Sequence, residues 1–126
     1  MAQTLNDMVE QFREEEVPQG LDRLVKMITS MNHWYVLMDP TNDNLPLIAE
    51  IEEDGKPLLW LFAYSDEESL VQSAQVLFPH MEEHRYLHMP LDTGVPWMLE
   101  YRKYEVYGLR FNEGPYGFYF GLEELE

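Results

Sequence analysis

Leu47–Glu68 reads LIAEIEEDGKPLLWLFAYSDEE, and its periodicity decides the fold class. Leu47, Ala49 and Ile51 alternate with Glu50 and Glu52, which is the period of a strand with one face inward. Asp54-Gly55 is a hairpin turn signal because both positions tolerate positive φ. Pro57 to Tyr64 follows as a nearly unbroken apolar run. Such a strand lies centrally, buried on both faces, or leaves an aromatic face for a partner. Ser65–Glu68 (SDEE) then forms a capping box, and Leu70, Val71, Ala74 and Leu77 repeat at helical spacing, which predicts a helix from Asp66 to about Phe78.

Upstream, Thr4 and Asp7 resemble a second capping box, with Leu5, Met8, Val9 and Phe12 on one helical stripe. Glu14–Glu16 oppose the dipole at that helix's end, and Pro18 restarts the chain. Leu21, Leu24, Val25 and Ile28 predict the second helix, Pro18 to Ser30. The period changes at His33–Asp39 (HWYVLMD), an aromatic and β-branched strand ending at Pro40. With Leu47–Glu53 and Pro57–Tyr64 it reads as a three-stranded antiparallel meander. Downstream, Arg85–Met89 reads as a short strand and Asp92-Thr93-Gly94 as the cap of a helix through Tyr104, with Pro96 tolerated in its first turn. Tyr107–Asn112 and Tyr116–Phe120 flank an Asn-Glu-Gly-Pro turn as a final hairpin. The expectation is one α+β domain over 1–126, with an N-terminal helix pair in 1–30 and a core in 31–126. Its sheet is mostly antiparallel, of about five strands, with helices on one face.

A chain of 126 residues holds one compact domain, and 45% apolar with 13% aromatic residues is enough to close a core. Eight Lys and Arg against 24 Asp and Glu leave a net charge of −16. That field repels phosphate backbones and anionic lipid, so neither nucleic acid nor a membrane is an expected partner. Cysteine is absent, so no disulfide, thiolate nucleophile or cysteine-ligated metal can form. The first residues show no basic segment followed by an apolar one, and a cytoplasmic location is expected.

His80, His84 and His88 are spaced i, i+4, i+8 and would line one helix face, while HMEEH matches the HxxEH pattern of inverted zinc peptidases. Pro79, Pro90 and the Tyr86-Leu87 pair instead point to loop running into strand, so no metal and no cofactor are expected. The acidic pairs Glu52/Glu53, Glu67/Glu68, Glu82/Glu83 and Glu123/Glu124 read as solvated surface, since acid–base catalysis needs two carboxylates in contrasting environments on one face. No nucleophile elbow or phosphate-cradling glycine loop is present, and no catalytic residue is expected. Phe118, Tyr119 and Phe120 cannot all face one core from a single strand, so at least one points outward. An outward aromatic ringed by acid suits a basic, partly apolar partner. Tyr64, Glu113, Tyr116, Phe118 and Tyr119 are therefore the candidate partner-binding residues. The stripe of the first helix either supports a homodimer or folds back on its own sheet.

Two segments carry a family resemblance: Leu61-Phe62-Ala63-Tyr64-Ser65 with Asp66 and Glu67, and Gly108-Leu109-Arg110-Phe111-Asn112-Glu113-Gly114-Pro115. From about Met31 to Glu126 the chain resembles the SseB-type N-terminal domain, a small bacterial α+β module. It departs from the family at Ala63-Tyr64, where a threonine is usual, and its N-terminal helix pair has no counterpart. The resemblance implies a non-enzymatic regulatory or accessory module. The leading expectation is an acidic module binding another protein through a basic surface of that partner. A secretion chaperone or toxin-neutralising immunity protein is the alternative, with a small metal-dependent hydrolase behind them.

Overall fold

The computed structural model describes residues 5–7, 9–10, 18–42, 44–81, 84–114 and 117–126. They form an α+β domain around one six-stranded, mostly antiparallel sheet. Helix α1 (Pro18–Thr29) precedes β1 (His33–Met38), β2 (Ala49–Glu53) and β3 (Lys56–Tyr64). Helix α2 (Glu67–Leu77) leads to β4 (Arg85–Pro90), and α3 (Leu91–Leu99) tightens into a 3-10 helix (Glu100–Tyr104) before β5 (Val106–Phe111). Strand β6 (Phe118–Gly121) and a closing 3-10 helix (Leu122–Leu125) complete the chain. Among the described residues no helix is long and apolar enough to cross a membrane.

The apolar run of β3 takes the central place, in the order β4-β1-β3-β5-β6. Along one edge it pairs in parallel with β5, from Leu59↔Val106 to Ala63↔Phe111. Its other edge is shared: β2 pairs with Lys56 to Trp60, and β1 with Ala63 and Tyr64. This corrects the meander, because β1 bridges only to Pro46, upstream of β2, and β1 and β2 each pair with β3 instead of with the other. The Asp54-Gly55 turn forms as read, with φ of 52° and 79°, the signs a tight hairpin turn requires.

Both faces of β3 are buried, so the sheet carries helices on both sides instead of one. Trp60, Phe62 and Tyr64 pack beneath Leu70 and Ala74 of α2. Leu61 and Ala63 face the other way, onto Leu24 and Ile28 of α1 and Met98 of α3. The chain crosses from β3 to β4 over the first face and returns from β4 to β5 over the second, so the two parallel crossovers have the same hand. Trp34 stitches α1 to β1, donating its indole N–H to the carbonyl of Ile28 at 2.9 Å, one of the carbonyls a helix end leaves without an internal partner. Leu5 and Val9 are buried in the same layer, so these members of the first stripe are covered by the chain's own core. Met8 and Phe12 lie outside the described residues.

Two local expectations change. Asp66, not Ser65, caps α2, its carboxylate accepting from the Ser69 amide at 2.7 Å. Pro96 sits in the second turn of α3, where its missing N–H removes one bond of the ladder, and the helix tightens a turn later and ends at Glu105 in the left-handed region (φ 66°).

Gly108 is required by close approach. A Cβ there would lie 2.1 Å from the backbone oxygen of Phe120 and 2.9 Å from the Trp60 ring. Its cross-strand neighbour Gly121 would meet only the flexible Glu123 side chain, at 3.6 Å, and the Tyr107 ring at 3.7 Å. Gly108→Ala is expected to lower the unfolding free energy by about 3 kcal/mol and Gly121→Ala by under about 1 kcal/mol, measured by denaturant titration. Equal losses at the two positions would refute this account of the β5–β6 pair.

Candidate functional site

Two adjoining features are built on the β3–β5 pair. The first is an aromatic and acidic patch on the face that also carries α2. A register shift between Leu59 and Trp60 accommodates an extra residue in β5 and brings Tyr107 to the Trp60 ring. The Tyr107 and Tyr119 rings each meet Trp60 edge to face, with centroids 5.2 Å apart. Trp60 itself is fully buried, its indole N–H donated to the Ile51 carbonyl at 3.2 Å, while Tyr107 and Tyr119 remain 47% and 45% exposed. The two tyrosines are thus exposed rings braced against a fixed one.

Arg110 lies beneath this patch, 6% exposed. Its guanidinium stands 4.5 Å from the centroid of Trp60 and 4.8 Å from that of Tyr119, over both rings, where the π faces attract a cation. It donates to the Glu53 carboxylate and, at 3.2 Å, to Glu113, so one carboxylate from the end of β2 and one from the turn after β5 converge on one buried cation. The Tyr119 hydroxyl donates to Glu53 at 3.2 Å. Its pKa is pushed above the ordinary value, first by desolvation and then by the Glu53 carboxylate charge, so it stays protonated at neutral pH. Because Arg110 is paired internally, the patch presents outward rings flanked by acid, with no free cation among the residues named here.

The second feature is a cavity of about 570 Å³ at the carboxyl ends of β3 and β5. Asn112, the first residue past β5, has φ 52° and locks the two strand ends together. Its Oδ1 accepts from the Ser65 amide at 2.9 Å, its Nδ2 donates to Ser65 Oγ at 3.0 Å, and its own amide donates to the Ala63 carbonyl at 2.9 Å. One wall is α2, through Ser69, Gln72 and Ser73; the other is the Asn112–Gly114 turn, with Asn6 nearby. The two segments that carry the family resemblance therefore meet at this rim.

The candidates read from sequence divide. Tyr119 is outward, and Glu113 lies between the cavity and Arg110. Tyr64 and Phe118 are corrections: both are core residues, buried on opposite faces of the sheet, and cannot anchor a partner. Their places follow from the strand alternation, since Tyr64 shares a side with Trp60, and Phe118 with Phe120. Tyr116 lies outside the described residues. The three histidines do not form a helical row: His84 ring nitrogen lies 3.0 Å from the Phe78 carbonyl, while His88, on β4, stacks on Tyr35 and meets His33 at a centroid distance of 4.0 Å. Among the described residues no cluster of three or more His, Asp or Glu side chains is placed to hold a metal ion. Sequence reasoning missed Trp60, Tyr107, Glu53 and Arg110 as one unit. The available signal was Arg110 itself, a lone cation between Leu109 and Phe111 in an otherwise apolar strand. The chain matches no family model, no curated protein and no solved structure.

Tyr64 donates to or accepts from Ser73 Oγ at 2.7 Å, and burial pushes its pKa up from 10.0 to about 12. The folded state thus holds a proton that the unfolded chain releases near pH 10. The stability this contributes is complete below pH 10 and is lost as pH rises toward 12, by about 2–3 kcal/mol. Chemical denaturation across pH 9 to 12 should show that extra loss in the native chain and not in Tyr64→Phe; parallel curves would contradict it.

Proposed function

We propose that the chain is a non-enzymatic module that binds a basic segment of another protein through the patch centred on Tyr107 and Tyr119. The observation that carries this reading is the pair of half-exposed tyrosines held on a buried tryptophan, with Glu53 and Asp54 beside Tyr119 and Glu113 on the Arg110 beneath. Rigid aromatic rings lose little entropy on binding and supply most interface energy, while surrounding carboxylates speed encounter with a basic partner. The net charge of −16 acts in the same direction at longer range. The dispersed histidines give no support to a metal-dependent hydrolase. A bacterial, cytoplasmic accessory role of the SseB type agrees with the absence of cysteine and with the junction of the two resembling segments at Ser65 and Asn112. Leu5 and Val9 are already covered by the chain's own core, so the reading does not require a homodimer.

The test is selection of displayed peptides against the folded chain, followed by amide-shift mapping of the best binder. Selected peptides should be rich in Lys and Arg with at least one apolar anchor, and shifts should centre on 106–110 and 118–121. Tyr119→Ala should weaken binding about tenfold or more while costing about 1 kcal/mol or less of stability. Asp54→Asn should slow association by an amount that shrinks as salt is raised. Unchanged affinity in both Tyr107→Ala and Tyr119→Ala would overturn the assignment.

A further inference from the structure

The cavity beyond β3 and β5 occupies the position where open sheets with parallel strands bind ligands, outside the carboxyl ends of neighbouring strands whose chains then diverge. Here the chain leaving β3 turns through α2 toward β4 on one side, and the chain leaving β5 turns toward β6 on the other. The gap stays open because both walls are fixed independently. Asp66 caps α2, and Asn112 is hydrogen-bonded to Ser65 and Ala63 at the end of β3.

Its chemistry is selective. Ser69, Gln72 and Ser73 lie at i, i+3 and i+4 on the face of α2 that lines it, and Val76 and Leu77 continue that face one turn on. Glu113 is the one ionised side chain among the described lining residues, and none of them is cationic. Arg110 donates to both Glu113 oxygens, at 3.2 and 3.4 Å, and a carboxylate so held retains lone pairs for a second donor. Gln72 donates its amide to Glu68 at 3.3 Å, which leaves its own oxygen to accept. Acceptors therefore stand on both walls of the cavity, Gln72 on α2 and Glu113 on the turn after β5. Val76, one turn beyond Gln72 on the same wall, is 79% exposed, an apolar surface that a ligand stem would cover.

We infer that this cavity binds a primary ammonium group carried on a short aliphatic stem, with Glu113 and the Gln72 amide oxygen receiving the ammonium and Val76 and Leu77 flanking the stem. Phosphates and carboxylates are excluded by Glu113 and by the acidic surface around it. The ammonium could come from a free aliphatic amine or from a lysine side chain of a partner, and the inference stands whether or not Tyr107 and Tyr119 form a docking surface.

Amide-shift titration of the full chain with n-butylammonium, 1,4-diaminobutane, Nα-acetyl-lysine amide and, as the anionic counterpart, n-butyrate tests it. At least one amine should saturate shifts confined to 69–77 and 112–114, and butyrate should produce none there. Glu113→Gln should weaken that amine at least tenfold. Since Glu113 also pairs with Arg110, Gln72→Trp, on the exposed side of α2, provides a variant that fills the cavity with the ion pair intact, and it should abolish the shifts. A tenfold preference for diaminobutane over the blocked lysine assigns a free amine, and the reverse preference assigns a partner's lysine. Absence of localised shifts with every amine, equal response to butyrate, or undiminished binding in both variants would overturn the inference.

Discussion

A strand that is apolar on both sides leaves a chain few options. Nine residues of β3 direct Trp60, Phe62 and Tyr64 to one face and Leu61 and Ala63 to the other, and none of these can face water at acceptable cost. Covering both faces requires helices above and below, and satisfying both backbone edges requires neighbours on each side. The crossovers through α2 and α3, the parallel pairing with β5 and the division of the remaining edge between β1 and β2 all meet that one demand. So does the position of the cavity, which exists because two parallel strands end together there.

Arg110 is the exception inside this apolar frame. A guanidinium this deep costs several kcal/mol in desolvation unless its partners are well placed. Here Glu53 comes from the β2–β3 hairpin and Glu113 from the β5–β6 turn, with the Trp60 and Tyr119 rings over the guanidinium face. The ion group joins two hairpins distant in sequence, and it sets where Tyr119 stands. Its Nε has no hydrogen-bond partner among the described residues, so geometric pairing at the fork's two ends is what holds it.

Much of the fold could be read from local pattern. The Asp54-Gly55 turn, the period of β2, the apolar length of β3 and the spacing along α2 are each decided within a dozen residues, and these elements lie within a residue or two of where periodicity places them. What depends on pairing between distant segments could not be read. Nothing local says that β1 and β2 share an edge of β3, or that β5 runs parallel to it, because antiparallel and parallel partners draw on the same residue types. The site follows the same division. Tyr119 could be singled out from the run Phe118–Phe120 by alternation alone, whereas Tyr64 is hidden only once α2 folds over it. The alliance of Arg110 with Glu53, 57 positions away, is invisible until the sheet is assembled.

The parallel pairing of β3 with β5 also imposes an order in time. Leu59 must wait for Val106, so the central strand is synthesised well before its neighbour on that side, and β1, β2 and α2 can assemble around it first. Through that interval one edge of an apolar strand displays unpaired amides and carbonyls, a template for the same strand of another nascent chain. Late, non-local closure of this kind slows folding relative to local pairing. On the ribosome, the vulnerable species is therefore a half-built sheet open at β3, and the acidic residues on β2 and in the first turn of α2 provide charge repulsion that keeps such intermediates apart.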